Sequence, residues 1–252
     1  MPPSKKLPVG LQLFSIRKEC EKDLPSVLKA VAKMGYQAAE FAGYYGRNAK
    51  ELRALLDEVG LKCCGTHIGL NTLQGDALPG TIEFNRTLGN GYLIVPGVDR
   101  EYFKTRDGCL KLAEIFNGIA QKLTGTGMHV GYHNHSAEFQ PIGSELPWDI
   151  FFGATRNVLM QFDIGNAMHG GATATDTLRR YPGRSKTIHL KEYCPGNDKA
   201  LIGEGDVPWK EVFALCESVA GTEWYVVEQE SYACPPMECV EKCLQNLRRM
   251  GR

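Results

Sequence analysis

The sequence predicts an α/β chain closed as a (β/α)8 barrel, and three observations predict it. Short apolar runs alternate with amphipathic helical stretches along the chain, eight such units can be counted, and acids and imidazoles recur where the runs end. Alternating βα units imply a parallel sheet, and eight of them imply closure. No composition break marks a second domain, so residues 1–252 are expected to form one. A doubly wound open sheet is the alternative. Nothing like G-x-G-x-x-G follows the first run, which counts against it.

Residues 9–16 (VGLQLFSI) read as the first strand. Asp23 is placed as the N-cap of a helix to Met34, with Pro25 in its first turn and Val27, Leu28, Val31 and Met34 at helical spacing. Gly35 stops it. Residues 37–42 (QAAEFA) are the next strand, and Asn48 caps a helix carrying Leu52, Leu55, Leu56 and Val59 that Gly60 closes. Residues 61–67 (LKCCGTH) form a strand ending in His67, followed by a weaker helix over 81–88. The strand 92–95 (YLIV) is stopped by Pro96-Gly97, and a clear helix spans 107–123. Residues 128–135 form the fifth strand, with a short helix starting at Pro147. Strands over 158–163 (VLMQFD), 187–191 (TIHLK) and 224–230 (WYVVEQE) alternate with helices over 175–181, 209–219 and 236–250.

Lys+Arg and Asp+Glu each number 29, so no net field draws in nucleic acid or an anionic membrane. No window approaches 18 consecutive apolar residues, which argues against a membrane span. The opening Met-Pro-Pro-Ser-Lys-Lys-Leu-Pro has no apolar region behind its lysines, so no signal peptide is expected. Nine cysteines, an odd number without repeated C-x-x-C spacing, resemble neither a disulfide framework nor a zinc ribbon. A reduced, cytoplasmic setting is expected, with Cys239 and Cys243 packing as small apolar residues on a helix.

In a barrel of this kind the chemistry lies at the C-terminal ends of the strands. Glu40, His67, His133 with His135, Asp163, His189, and Glu228 with Glu230 fall at six of the eight ends. Acids and imidazoles are costly in a barrel mouth unless they are paired or bind a cation. The stretch 131–139 (GYHNHSAEF) places His133 and His135 on one face if the strand runs through both. Taken alone it also reads as a solvated turn. Asp163 has the plainer reading of an N-cap or buried ion pair. His189 has that of a core histidine beside a functional Lys191, and Glu204, in Gly-Glu-Gly, that of a turn residue. As a converging set, these oxygens and nitrogens suit one divalent ion such as Mn²⁺, Co²⁺, Zn²⁺ or Mg²⁺.

Several motifs carry a resemblance. They are GLQLFSIR at 10–17, Glu40-Phe41 followed by GYYG at 43–46, YHNHxxEF at 132–139, FDIGNA at 162–167, HLKE at 189–192, GEGDVPW at 203–209 and VEQ at 227–229. The chain resembles the sugar phosphate isomerase/epimerase superfamily, with its xylose-isomerase-like TIM barrel, in the branch with the YHNHxxEF motif. Four residues ending strands five to eight hold one divalent metal in that family, usually Glu, Asp, His and Glu. By position Asp163, His189 and Glu228 match the last three. Where many members have the first glutamate this chain offers histidine, and His135 is the expected ligand. His133 faces the same side one pleat lower, and Glu138 is a second contender if its loop folds back. In the epimerases that glutamate is one of two carboxylates that move the proton, so here His133 is the expected base. Asn166 stands where epimerases often have a histidine near the substrate.

The resemblance implies a metal-dependent sugar isomerase/epimerase that abstracts a proton beside a carbonyl. His133, Glu228 and Glu138 are the proton-carrying candidates. Glu40, His67, Asn166, Lys191 and Glu204 are the expected contacts of a small sugar substrate. Expulsion of a β-leaving group from the same site is the lyase or dehydratase alternative, and a non-catalytic sugar-binding barrel is a further one. A phosphodiesterase of the related endonuclease type would call for about three metals, more histidines and a basic groove. The oligomeric state stays open, a homo-oligomer included.

Overall fold

Residues 6–252 are described in this computed structural model, so most of the N-terminal stretch judged for a signal peptide lies outside the described residues. Runs such as VGLQ, YLIV and WYVV form strands buried almost along their whole length, because helices cover one face and barrel contents the other. The strands are β1 (Val9–Gln12), β2 (Ala38–Ala42), β3 (Lys62–His67), β4 (Tyr92–Val95), β5 (His129–His133), β6 (Leu159–Asp163), β7 (Thr187–Leu190) and β8 (Trp224–Val227). Each pairs in parallel with its neighbour in sequence, and Gly10 of β1 sits opposite Val226 of β8, which closes the barrel. The helices are α1 (Arg17–Met34), α2 (Ala49–Val59), α3 (Ala77–Leu88), α4 (Arg106–Lys122), α5 (Pro147–Ala154), α6 (Ile164–His169), α7 (Ala174–Arg180), α8 (Trp209–Cys216) and α9 (Pro236–Arg249). Among the described residues no helix is long and apolar enough to cross a membrane.

The main core lies between strands and helices, where Phe41, Val130, Tyr132, Phe162 and Ile188 meet Leu52, Phe116, Phe151 and Val212. Burial of each such side chain contributes roughly 1.5–3 kcal/mol. Inside the barrel, Ala38, Cys64 and Val226 make a small apolar plug. Gly10 lies against it, since a Cβ there would come within 2.6 Å of Cys64 Sγ. Above the plug the contents turn polar, and that change of layer positions the site.

Several local features differ from the expected elements; β8, for one, ends at Val227, three residues short of Glu230. The first strand stops at Gln12, whose side chain accepts from Phe14 N at 3.0 Å and starts a 3₁₀ turn over Leu13–Ile16. Helix α1 begins at Arg17, before Asp23. Asp23 sits at a kink (φ −156°, ψ 78°) and accepts from Ser26 N at 3.1 Å, so it caps the second segment of an already started helix. Strand β5 ends at His133, two residues early, and a short helix, α6, follows Asp163 directly. Asn48 does cap α2, in a capping box with Glu51, and Gly60 closes it at φ 73°.

Candidate metal centre

His133 ends β5, Asp163 ends β6, His189 is the third residue of β7, and Glu228 is the first residue beyond β8. One ligand atom from each of these four lies within 4.8 Å of the others. Each residue is at most 3% exposed. His189 Nδ1 is 3.2 Å from Glu228 Oε2 and 3.8 Å from Asp163 Oδ2, and His133 Nε2 is 4.0 Å from Glu228 Oε2. A group of His67, His133 and His189 adjoins it.

The residues fit a divalent cation. Asp163 Oδ1 accepts from Asn166 N at 2.6 Å, whereas its buried Oδ2 has no hydrogen-bond partner among the described residues. An unpaired buried carboxylate oxygen is costly, and an ion satisfies it. The electrostatics agree. Burial, with Glu228 facing it, pushes the Asp163 carboxyl well up despite Lys191. Burial also raises Glu228, but His189, Lys191 and His133 outweigh it and hold that carboxyl well below its usual range. Two carboxylates facing one another cannot both ionise cheaply without a cation between them. A donor set of carboxylate oxygens and imidazole nitrogens suits the ions expected from the sequence.

Beneath the cluster lies a polar layer. His189 Nε2 is 2.6 Å from Glu40 Oε1, and Gln12 Nε2 donates to the same oxygen at 2.7 Å. Gln161 Nε2 donates to Glu40 Oε2 at 2.6 Å and to Thr187 Oγ1 at 3.0 Å. Glu40 fits only because Gly65 faces it, where a Cβ would come within 2.2 Å of Oε2. Burial opposes ionisation of Glu40, but His67 and His189 overcome it and hold its carboxyl far below the usual range. Burial likewise opposes protonation of His189, which Glu40 and Glu228 nonetheless push up to about 10. The Glu40 hydrogen bond leaves Nδ1 of His189 directed at Asp163 and Glu228, the usual way a carboxylate orients a ligating imidazole.

The other expected residues fall in different places. Asn134 explains the early end of β5. Its side chain donates to Asp163 O at 3.0 Å and accepts from Asp163 N at 2.8 Å, replacing the backbone ladder to β6. The chain then turns, so His135 is exposed, and the strand-five member of the cluster is His133. The strand does not run through His135, although the His135 ring still packs edge-on against His133 at 5.1 Å. Glu138 has both carboxylate oxygens engaged, by Tyr132 Oη at 2.6 Å and His135 N at 3.0 Å, and it locks this turn outside the cluster. Glu40, expected at the substrate, lies under the cluster with both oxygens taken. His67 Nε2 is 2.6 Å from Gln161 Oε1, and its ring stacks on His189 at 5.4 Å. Glu204 is exposed and accepts from Leu201 N at 3.0 Å, as a turn residue does.

Lys191 and Asn166 share a cavity of about 280 Å³ with His169, Gln229 and Glu230. Lys191 pairs with Glu230, and Asp163, Glu228 and Glu230 keep it protonated against burial. Glu192 was not singled out from the sequence. It accepts from the N–H groups of Tyr193, Gly203 and Val207 and from Trp209 Nε1 at 2.6–3.2 Å, holding the 203–209 loop against the barrel. Gln12 and Gln161 are further members of the polar layer that no expectation names, although Gln12 closes an apolar strand and Gln161 interrupts one.

The fold and site define a class. The chain belongs to the xylose isomerase-like TIM barrel family, whose model matches residues 28–250. Among curated proteins it is 22% identical over 246 residues to an inosose dehydratase of Clostridium botulinum (strain Alaska E43 / Type E3), covering 88% of this chain and 78% of that protein. A sugar phosphate isomerase/epimerase of Parabacteroides distasonis superposes with a TM-score of 0.84 at 23% identity, covering 97% of this chain and 98% of that one. A D-allulose 3-epimerase of Methylomonas sp., solved with D-allulose, superposes with a TM-score of 0.70 at 13% identity over 97% of each chain. At such identities the structural likenesses establish the fold.

Proposed function

We propose that the chain is a divalent-metal-dependent sugar isomerase/epimerase that removes a proton from the carbon beside a carbonyl. The observation that carries this reading is the buried cluster with its unpartnered Asp163 Oδ2. Asp163, His189 and Glu228 would hold the ion, and three protein ligands leave room for adjacent sugar oxygens. When bound, the ion supplies Lewis-acid polarisation of the carbonyl and so acidifies the neighbouring C–H.

The remaining work falls to the chain's own groups. Burial, with His189 beside it, keeps the His133 imidazole neutral at physiological pH, and its Nδ1 has no partner among the described residues. A neutral imidazole at the cluster's edge accepts the proton, with Glu228 Oε2 4.0 Å away as the second proton carrier. The Lys191 ammonium offers positive charge to the developing enediolate. Asn166 and Gln229 line the cavity where the rest of the sugar would bind.

Loss of a β-hydroxyl from the same enediolate is the second reading, favoured by the inosose dehydratases among the relatives. Protonated His133 would then deliver its proton to the leaving oxygen. Both readings share the first step. The test is solvent deuterium incorporation: the Mn²⁺-loaded protein in D₂O is offered a panel of ketoses and keto-inositols, and exchange is read by NMR. Exchange with retention of every oxygen supports the isomerase/epimerase reading, and exchange with release of water supports the dehydratase. No C–H exchange on any member contradicts both. A small-molecule enzyme in a reduced cytoplasm accords with the balanced charge and with nine free thiols among the described residues.

A further inference from the structure

The connection from β8 to α9 carries a second pair of reactive groups that the proposed chemistry does not use. Cys234 Sγ and Cys239 Sγ lie 2.7 Å apart, the single thiol–thiol contact among the described residues. Cys234 is half-buried in the connection, while Cys239 is fully buried in the first turn of α9 and donates to Cys234 O at 3.3 Å. The approach is already close to the roughly 2.05 Å of a covalent S–S bond, so joining the sulfurs requires only a small side-chain movement. Lys242, one turn further along α9, sets its Nζ 4.0 Å from Cys234 Sγ but is paired with Glu238 at 2.6 Å, so it offsets only part of what holds the Cys234 proton.

The segment these thiols would fasten is the one that begins with Glu228 and includes Glu230, the partner of Lys191. Its near end is already tied down. Gln229 N donates to Ser15 Oγ at 3.0 Å, Tyr232 Oη donates to Ser15 O at 2.7 Å, and Cys243 Sγ approaches Gln229 Oε1 at 3.8 Å. Cys234 and Cys239 stand at the far end, where the chain enters α9.

We propose that Cys234 and Cys239 form a reversible disulfide that fastens the β8–α9 connection behind the cluster. The oxidant is a small disulfide of the glutathione type. Cys234, the more accessible sulfur, attacks one sulfur of that disulfide as a thiolate, forming a mixed disulfide and expelling one small thiolate. Cys239 thiolate then attacks the Cys234 sulfur and expels the second. The two protons lost by the cysteines end on the two small thiols, so two protein thiols and one small disulfide become one protein disulfide and two small thiols. The Cys239 hydrogen bond, with some burial, holds the Cys234 thiol up to about 11. Exchange is therefore slow at neutral pH, and the pair follows the standing thiol–disulfide balance rather than a brief oxidant pulse.

The test equilibrates the full chain in glutathione buffers of graded poise, alkylates it after unfolding, and maps its peptides by mass spectrometry. The expected result is one intramolecular cross-link, between Cys234 and Cys239. It is reversed by dithiothreitol and lost in both Cys234→Ser and Cys239→Ala. The thermal midpoint of the oxidised wild-type chain should rise by about 5 °C, the shift a short closed loop imposes on a chain of this size. Full alkylation of both thiols at the most oxidising poise, a cross-link through Cys243 instead, or stable mixed disulfides alone would overturn the proposal. So would a correct cross-link with an unchanged midpoint, because the connection would then not be fastened.

Discussion

The two halves of the barrel are finished differently at their C-terminal ends. From β5 to β8 each strand delivers one ionisable side chain to a single cluster: His133, Asp163, His189 and Glu228. From β1 to β3 the strands deliver Gln12, Glu40 and His67, which meet that cluster from below and from the side. Strand β4 ends in apolar Val95 and adds nothing to either set. In the proposed reading one half would hold a cation, and the other positions the residues that hold it. Glu40 belongs by sequence to the first half and by contact to His189 of the second, so it is where the two meet.

The largest effect is expected at Asp163. Replacement by Ala removes a buried carboxylate oxygen that has no hydrogen-bond partner among the described residues, and ion affinity should fall by more than the about 100-fold that outer partners command. Equilibrium dialysis against Mn²⁺ measures it. At His133 the expectation is opposite in kind. His133→Ala should keep most of its bound metal while turnover falls about 10²–10⁴-fold, the usual worth of a positioned base. Equal loss of metal and turnover would make His133 a ligand instead.

Glu40→Gln tests the supporting half. It keeps the shape and one acceptor but loses the charge that orients His189, so metal affinity should weaken about 10–100-fold. A direct effect on substrate affinity at saturating metal would return Glu40 to the substrate side. The same pairing sets a pH dependence. Because Glu40 and Glu228 hold His189 protonated up to about 10 in the ion-free chain, binding must displace that proton. Apparent metal affinity should rise with pH, by about tenfold per unit for each proton released. Calorimetry in buffers of different ionisation enthalpy counts the protons. The smallest effect is expected at exposed His135, where substitution by Ala should change metal affinity less than about twofold, as surface changes usually do.

The barrel was legible because its signal is repetitive: buried strands read as apolar runs, and Asn48 and Gly60 punctuate a helix in the ordinary way. Asp163, His189 and Glu228 were legible for a related reason, as charged residues closing apolar runs. The choice between His133 and His135 was not. It turned on Asn134, whose side chain pairs with the backbone of Asp163 29 residues away and ends β5, and no local pattern encodes that contact. Glu40 was read as a mouth residue because strand parity gives a side chain its direction and not its depth. Its depth comes from Gly65 opposite, an absence of side chain on another strand. Glu192 stands in the HLKE motif without a legible role, because its partners Gly203, Val207 and Trp209 lie 11, 15 and 17 residues on and no periodicity relates them.

Asp163, His189 and Glu228 are proposed to hold one divalent ion beside His133. The direct measurement is metal content by mass spectrometry after dialysis against Mn²⁺, Co²⁺, Zn²⁺ and Mg²⁺, on wild type and Asp163→Ala side by side. About one ion per chain is expected in wild type with at least one of these metals, and little or none in the variant. No ion in wild type with any of the four, or equal occupancy in both proteins, would contradict it.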